Sequence, residues 1–149
     1  MTEKKIAGRW PRIVFWAFAA GMLLYGLWIN HLWASEDRWA EIAREMLLTG
    51  DWFHPAINGE VYFDKPLLSY WPIVILAKIC GVLNEFIVRL PSALSALIAL
   101  YCTRYLAEKL WNKRVANAAG WLLLTSLGFL FWGRTAAADN FVFFFYFSF

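Results

Sequence analysis

The sequence predicts an all-α membrane protein with about three complete transmembrane helices, a truncated fourth, and two amphipathic helices beside the membrane in its first outer loop. Three observations predict it. Hydrophobic residues make up 61% of the 149 residues and aromatic residues 19%, with ten Trp, well above the apolar share of soluble domains. Two runs, 13–33 and 115–133, carry no charge, and each is long enough to cross a bilayer as a helix. Seven of the eleven acidic residues are gathered in one polar stretch, Ser35 to Pro66. Carboxylates are cheap to hold in water and costly in hydrocarbon, so chemistry is expected there.

The first span is Ile13 to Trp33, about 31 Å of helix, preceded by Lys4, Lys5, Arg9 and Arg12. A cleaved signal peptide would have a shorter apolar region and a small residue where Leu32 stands, so an uncleaved span with a cytoplasmic N-terminus is expected. The outer loop runs from 35 to 90. Within it, Trp39, Ile42, Ala43, Met46 and Leu47 recur at helical spacing, Ser35 is placed as an N-cap, and Gly50 can close the helix. This reads as an amphipathic helix lying on the membrane, with Arg38–Glu41 and Glu41–Arg44 spaced to pair. Asn58 and Gly59 read as a turn. Leu67 to Leu83 offers only about 18 Å of helix before Lys78, interrupted by Pro72, and is expected to rest along the outer leaflet without crossing.

That choice sets the topology. The next span then runs from 91 to 110, with Pro91 in its first turn, and Arg104, Lys109, Lys113 and Arg114 fall on the cytoplasmic side, Arg104 snorkelling to the interface. The span 115–133 returns the chain outward, so Asp139 joins the side that holds the acidic loop. Residues 141–149 begin a fourth span too short to finish. Basic residues cluster at segment ends rather than along one face, which argues against nucleic-acid binding despite a net charge of +3. Cys80 and Cys102 have no metal-ligand spacing and read as small buried residues, while His31 and His54 read as interfacial residues without partners.

In the loop, Tyr62, Phe63, Asp64, Lys65 and Pro66 return the chain to the bilayer. A lysine at that level can meet a lipid phosphate as a point charge, although it is as often an ordinary headgroup anchor; Asp64 could help hold a divalent cation, but a lone Asp is more often a surface charge. Trp39, Trp52, Tyr62 and Trp71 could stack on sugar or lipid, though an interfacial aromatic belt is the commoner use of such residues.

The run Glu36 to Pro66, with RWAEIAREMLLTGDWFHPAINGEVYFDKPLLSYW at its heart, resembles the first outer loop of bacterial membrane glycosyltransferases of the dolichyl-phosphate-mannose protein mannosyltransferase type. Closest among them are the aminoarabinose transferases acting on lipid A. NEFIVRLPSALSAL (Asn84 to Leu97) and GRTAAAD (Gly133 to Asp139) extend the resemblance. It implies the N-terminal part of a single GT-C membrane domain in the bacterial inner membrane, with its active-site loop on the periplasmic face. Such an enzyme takes a sugar from a polyprenyl-phosphate carrier and transfers it, with inversion, to a protein hydroxyl or a lipid A-like glycolipid. It implies catalytic acids at the start of the loop and at Asp139, a donor-phosphate contact at Lys65 supported by Arg38 and Tyr62, and an acid near a divalent metal at Asp64; no other cofactor is expected. One position departs. The family pattern opens Asp-Glu-x-Arg-aromatic, whereas this chain reads Ser35-Glu36-Asp37-Arg38-Trp39. Serine cannot act as a carboxylate base, so Glu36 or Asp37 is expected to take that role with Asp139 opposite; alternatively the acceptor is already ionised, or Asp139 alone suffices. The family's enzymes are several times longer, so the chain by itself is expected to be inactive. Two rivals remain: a transporter module, which would carry ionisable residues within its spans, and a non-enzymatic membrane scaffold.

Overall fold

The structure is a computed structural model that describes residues 10–33 and 35–136. Among the described residues, six α-helices carry the fold: α1 (Trp10–Leu24), α2 (Glu36–Thr49), α3 (Trp71–Cys80), α4 (Glu85–Leu110), α5 (Lys113–Leu124) and α6 (Leu127–Gly133). Between α2 and α3 lie a two-stranded hairpin, β1 (Ala56–Ile57) and β2 (Glu60–Val61), and a 3-10 turn at Leu67–Ser69. Asn58 and Gly59 form the hairpin turn with φ of 54° and 80°, as the Asn-Gly dipeptide predicts.

α4 is the one unbroken helix among the described residues long and apolar enough to cross a membrane. It begins six residues before the expected boundary at Pro91, because the Asn84 side chain caps it by accepting from the Ile87 N–H. Pro91 therefore sits inside the helix and not in its first turn. The expected first span also breaks. α1 ends at Leu24, and Gly26 follows with φ of 78°, a left-handed conformation that glycine tolerates. The carbonyls of Leu27, Asn30 and His31, which a continuing helix would use internally, all accept instead from the Arg89 guanidinium. The third expected span is bent by 66° between α5 and α6. There the Ser126 side chain starts a new helix by accepting from Phe129 N–H, and Thr125 Oγ1 bonds back to the Trp121 carbonyl.

α2 does not use the bilayer to cover its apolar stripe. Trp39, Ile42, Ala43 and Met46 are buried against Tyr70, Ile73 and Val74 at the start of α3 and against Val88 of α4, with Trp39 lying 4.7 Å from the Tyr70 ring. Trp39 is therefore a core residue rather than part of an interfacial belt. Each such side chain contributes roughly 1.5–3 kcal/mol on burial, enough to hold α2 on α3. Gly50 closes α2 as expected, in the left-handed region with its N–H on the Met46 carbonyl, whereas Ser35 occupies the cap position without a side-chain bond. α3 has ten residues, about 15 Å, too short to cross a hydrocarbon core of about 30 Å.

A second core joins α1, α4 and α5 through Phe15, Ala19, Leu100 and Leu124, with Phe129 and Leu130 of α6 packed against it. Arg104 lies between α1 and α5. Its guanidinium lies 4.0 Å above the Phe15 ring and donates to Asn117 Oδ1 at 2.8 Å. The missing side chain of Gly120 makes the room, since a Cβ there would stand 2.8 Å from Arg104 Cδ. Cys80 is exposed and Cys102 half-buried, so only the second approaches the expected burial.

Candidate functional site at the head of the outer loop

The first turn of α2 and the end of the hairpin meet, and the polar residues of the loop meet with them. Arg38 Nη1 donates to the Tyr62 hydroxyl at 3.1 Å, and that hydroxyl donates to Asp64 Oδ2 at 3.2 Å. Arg38 thus turns to the returning limb of the loop, and of its two expected helix-surface pairs Glu41 keeps only Arg44, at 2.9 Å. Lys65 follows Asp64 in the chain, is exposed, and has no hydrogen-bond or ion-pair partner among the described residues. Tyr70 lies beneath this cluster, almost fully buried; burial, assisted by Tyr62 and Asp64 and opposed by Arg38, pushes its phenol up to about 12. It stays a neutral aromatic floor.

Glu36 and Asp37 are adjacent in sequence but differ in surroundings. Asp37 is exposed. Glu36 is completely buried, with both carboxylate oxygens engaged. It accepts from Arg89 Nη2 at 2.7 Å and Nε at 3.0 Å, from the Ala136 N–H at 2.9 Å and from the Trp33 N–H at 3.3 Å. Arg89 spends its remaining donors on the three carbonyls that end the first helix, so all five of its N–H groups are used. The pair ties four separate segments, near residues 27–33, 36, 89 and 136, into one node. Glu36 is built into the scaffold, and the carboxylate left free at the head of α2 is that of Asp37. Asp139 lies outside the described residues, although Ala136, three positions earlier, is bound to Glu36.

Arg89 carried no role in the sequence reading, which placed it at the end of a polar loop. A signal was present: it is the only charge between Phe86 and Thr103, and a charge in so apolar a run must find a partner. His54 also has a partner the spacing did not suggest, Asp51 Oδ2 at 2.8 Å. The Asp51 carboxyl also accepts from Phe53 N–H, and these bonds hold it below the usual carboxylate range, the Phe53 amide most strongly. Trp71 Nε1 donates to the Trp52 carbonyl, and together with Phe53 these rings line an open cleft of about 720 Å³. No three His, Cys, Asp or Glu side chains gather among the described residues. A cation at Asp64 would have to draw its other ligands from elsewhere.

A cationic pair with a phenol beside a free carboxylate is suited to an anionic phosphate and a nucleophilic hydroxyl. The dolichyl-phosphate-mannose-protein mannosyltransferase family matches residues 64–149. The chain belongs to that family. It is the family that the loop motif resembles. An undecaprenyl phosphate-alpha-4-amino-4-deoxy-L-arabinose arabinosyl transferase of Pseudomonas fluorescens is 42% identical over 109 residues, 73% of this chain and 18% of that protein. One from Pseudomonas aeruginosa is 36% identical over 106 residues, 71% of this chain and 18% of its own length. The crystal structure of ArnT from Cupriavidus metallidurans in the apo state superposes with a TM-score of 0.82 at 30% identity, covering 90% of this chain and 25% of that one. The same enzyme bound to undecaprenyl phosphate gives 0.80 at 31% identity, covering 86% and 24%. The chain therefore spans about a fifth of the length of these curated relatives and a quarter of the solved structures.

Proposed function

We propose that this chain forms the part of a membrane glycosyltransferase that holds a polyprenyl-phosphate sugar at the outer membrane face and presents it to an acceptor. The observation that carries the reading is the linked Arg38, Tyr62 and Asp64 cluster beside Lys65, which has no partner among the described residues. A polyprenyl-phosphate sugar keeps its tail in lipid and its reactive phosphodiester at headgroup level, so its site needs cations at the interface. Lys65 and Arg38 supply them and stabilise the phosphate as it leaves, with Tyr62 fixing the guanidinium against Asp64. Asp37 or Asp139 removes the proton from an acceptor hydroxyl; an acceptor already ionised, such as a lipid A-like phosphate, needs no base. Attack from the side away from the departing phosphate inverts the sugar centre. Glu36 positions these groups through Arg89 and does not touch the substrate.

The names of the relatives favour aminoarabinose as the sugar and undecaprenyl phosphate as the carrier. In this topology α4 and the bent α5–α6 pair are spans, and α2 and α3 lie along the outer leaflet. Titrating the chain in detergent with undecaprenyl phosphate tests the reading. Lys65→Gln and Arg38→Gln should each weaken binding about 10-fold or more, the worth of a charge-assisted hydrogen bond. Equal affinity in all three proteins would refute the assignment. In the complete enzyme, Asp37→Ala and Asp139→Ala should lower turnover with little change in carrier affinity; full activity of both variants would remove the proposed bases. The 149-residue chain alone should transfer no labelled sugar.

A further inference from the structure

A second polar feature adjoins Arg89 of the node, and it shares no residue with the Arg38, Tyr62 and Asp64 cluster. It is a cavity of about 390 Å³ lined by Gly26, Asn30, Trp33 and Arg134, with Leu127, Leu130 and Phe131 as its apolar wall. Arg89 also borders it, but that charge is neutralised by Glu36 at 2.7 Å. Arg134 is different. Its hydrogen-bond partner is neutral, the Tyr25 carbonyl at 2.7 Å, and no carboxylate pairs with it among the described residues. The bond fixes the guanidinium at the mouth of the break after α1, where Gly26 leaves room: a Cβ there would stand 3.3 Å from Arg134 Nη2. The cavity therefore combines one cation with no carboxylate partner among the described residues, an amide side chain, an indole and a hydrocarbon wall. A half-buried guanidinium donates charge-assisted hydrogen bonds to an anion, and the adjoining wall favours one that carries an alkyl chain.

We propose that this cavity binds a lipid-borne phosphate, distinct from the carrier phosphate held near Lys65. The inference rests on placing this end of the bundle at the outer headgroup level. Either a bilayer phospholipid or the glycolipid acceptor presents the same chemistry, and the experiment separates them. Native mass spectrometry of the full chain in detergent is used to titrate phosphatidylglycerol, lipid A, undecaprenyl phosphate and inorganic phosphate. Arg134→Gln keeps a donor for the Tyr25 carbonyl while removing the charge. It should weaken phosphatidylglycerol or lipid A binding about 10-fold, with undecaprenyl phosphate affinity changed less than about 2-fold, and Arg134→Lys should restore most of the loss. Leu130→Trp, which fills the cavity with Arg134 intact, should lower the same affinity if Arg134→Gln does not fold. Tighter binding of lipid A assigns the site to the acceptor, and equal binding assigns it to bilayer lipid. Unchanged binding in both variants overturns the proposal, as does competition by inorganic phosphate at equal concentration, which would remove the lipid requirement. If Lys65→Gln and Arg134→Gln lower the same affinities, there is one site and the proposal fails. Loss of undecaprenyl phosphate binding in the unaltered chain, with phosphatidylglycerol or lipid A binding kept, would count against the carrier site alone.

Discussion

Replacing Glu36 with Gln tests the node that holds the outer loop to the bundle. The side chain keeps its volume, but Arg89 is left as a buried charge without a counter-ion, its side chain only 6% exposed. The amide can still accept with one oxygen, while its NH2 faces donors: Arg89 and the Ala136 N–H both point at positions where the carboxylate now accepts. Breaking a buried pair by altering one partner costs about 3–5 kcal/mol. For a chain of this size that corresponds to a fall in Tm of about 6–20 °C by soluble-protein scaling. Arg89→Met should cost at least as much, because it also strips donors from the Leu27, Asn30 and His31 carbonyls. The double variant should be less destabilised than the sum of the two, since neither charge is then stranded. Thermal unfolding of the four proteins in one detergent, followed by circular dichroism, reads the cycle. Additive losses, or a Glu36→Gln variant within about 1 kcal/mol of the parent, would refute the claim that this pair is a buried, mutually dependent node.

Three further outcomes follow from local geometry. Gly133→Ala sets a Cβ 2.9 Å from Ala96 Cβ and 3.1 Å from Leu23 Cδ2, so α1, α4 and α6 must separate; a loss of about 1–3 kcal/mol is expected in the same unfolding assay. Asn112→Ala removes the cap that accepts from the Arg114 and Val115 amides at the start of α5 and should cost about 1 kcal/mol, with Asn112→Ser recovering most of it. Asp51 titrates below its unfolded value when folded, so its turn is stabilised above the unfolded pKa, and that stability is lost as pH falls through the depressed one. The Phe53 amide resonance should shift over that acidic range in the parent and not in Asp51→Asn.

Residue patterns of short range were legible in the sequence. The Asn58-Gly59 turn, the Gly50 stop and the 3.6-residue stripe on α2 each depend on conformational preferences within a few positions, and each formed where its pattern lay. The contact of Tyr62 with Asp64 joins residues two apart, within the motif that the sequence singles out. What covers the stripe of α2 was not legible: an apolar face reads the same whether it meets lipid or α3, and only packing chose Tyr70, Ile73 and Val74.

The sequence by itself determined that this chain is helical, membrane-associated and polar at one loop, since composition and periodicity act on every residue independently of its distant neighbours. The tertiary structure alone decided where the helices break and which acid is free. Runs 13–33 and 115–133 are apolar enough to continue, yet the first ends where Arg89 captures carbonyls from 58 to 62 positions away and the second bends between α5 and α6. Glu36 and Asp37 are chemically alike and adjacent. A guanidinium 53 residues further along pairs with one and leaves the other exposed, because a carboxylate buried as completely as Glu36 needs an opposite charge beside it.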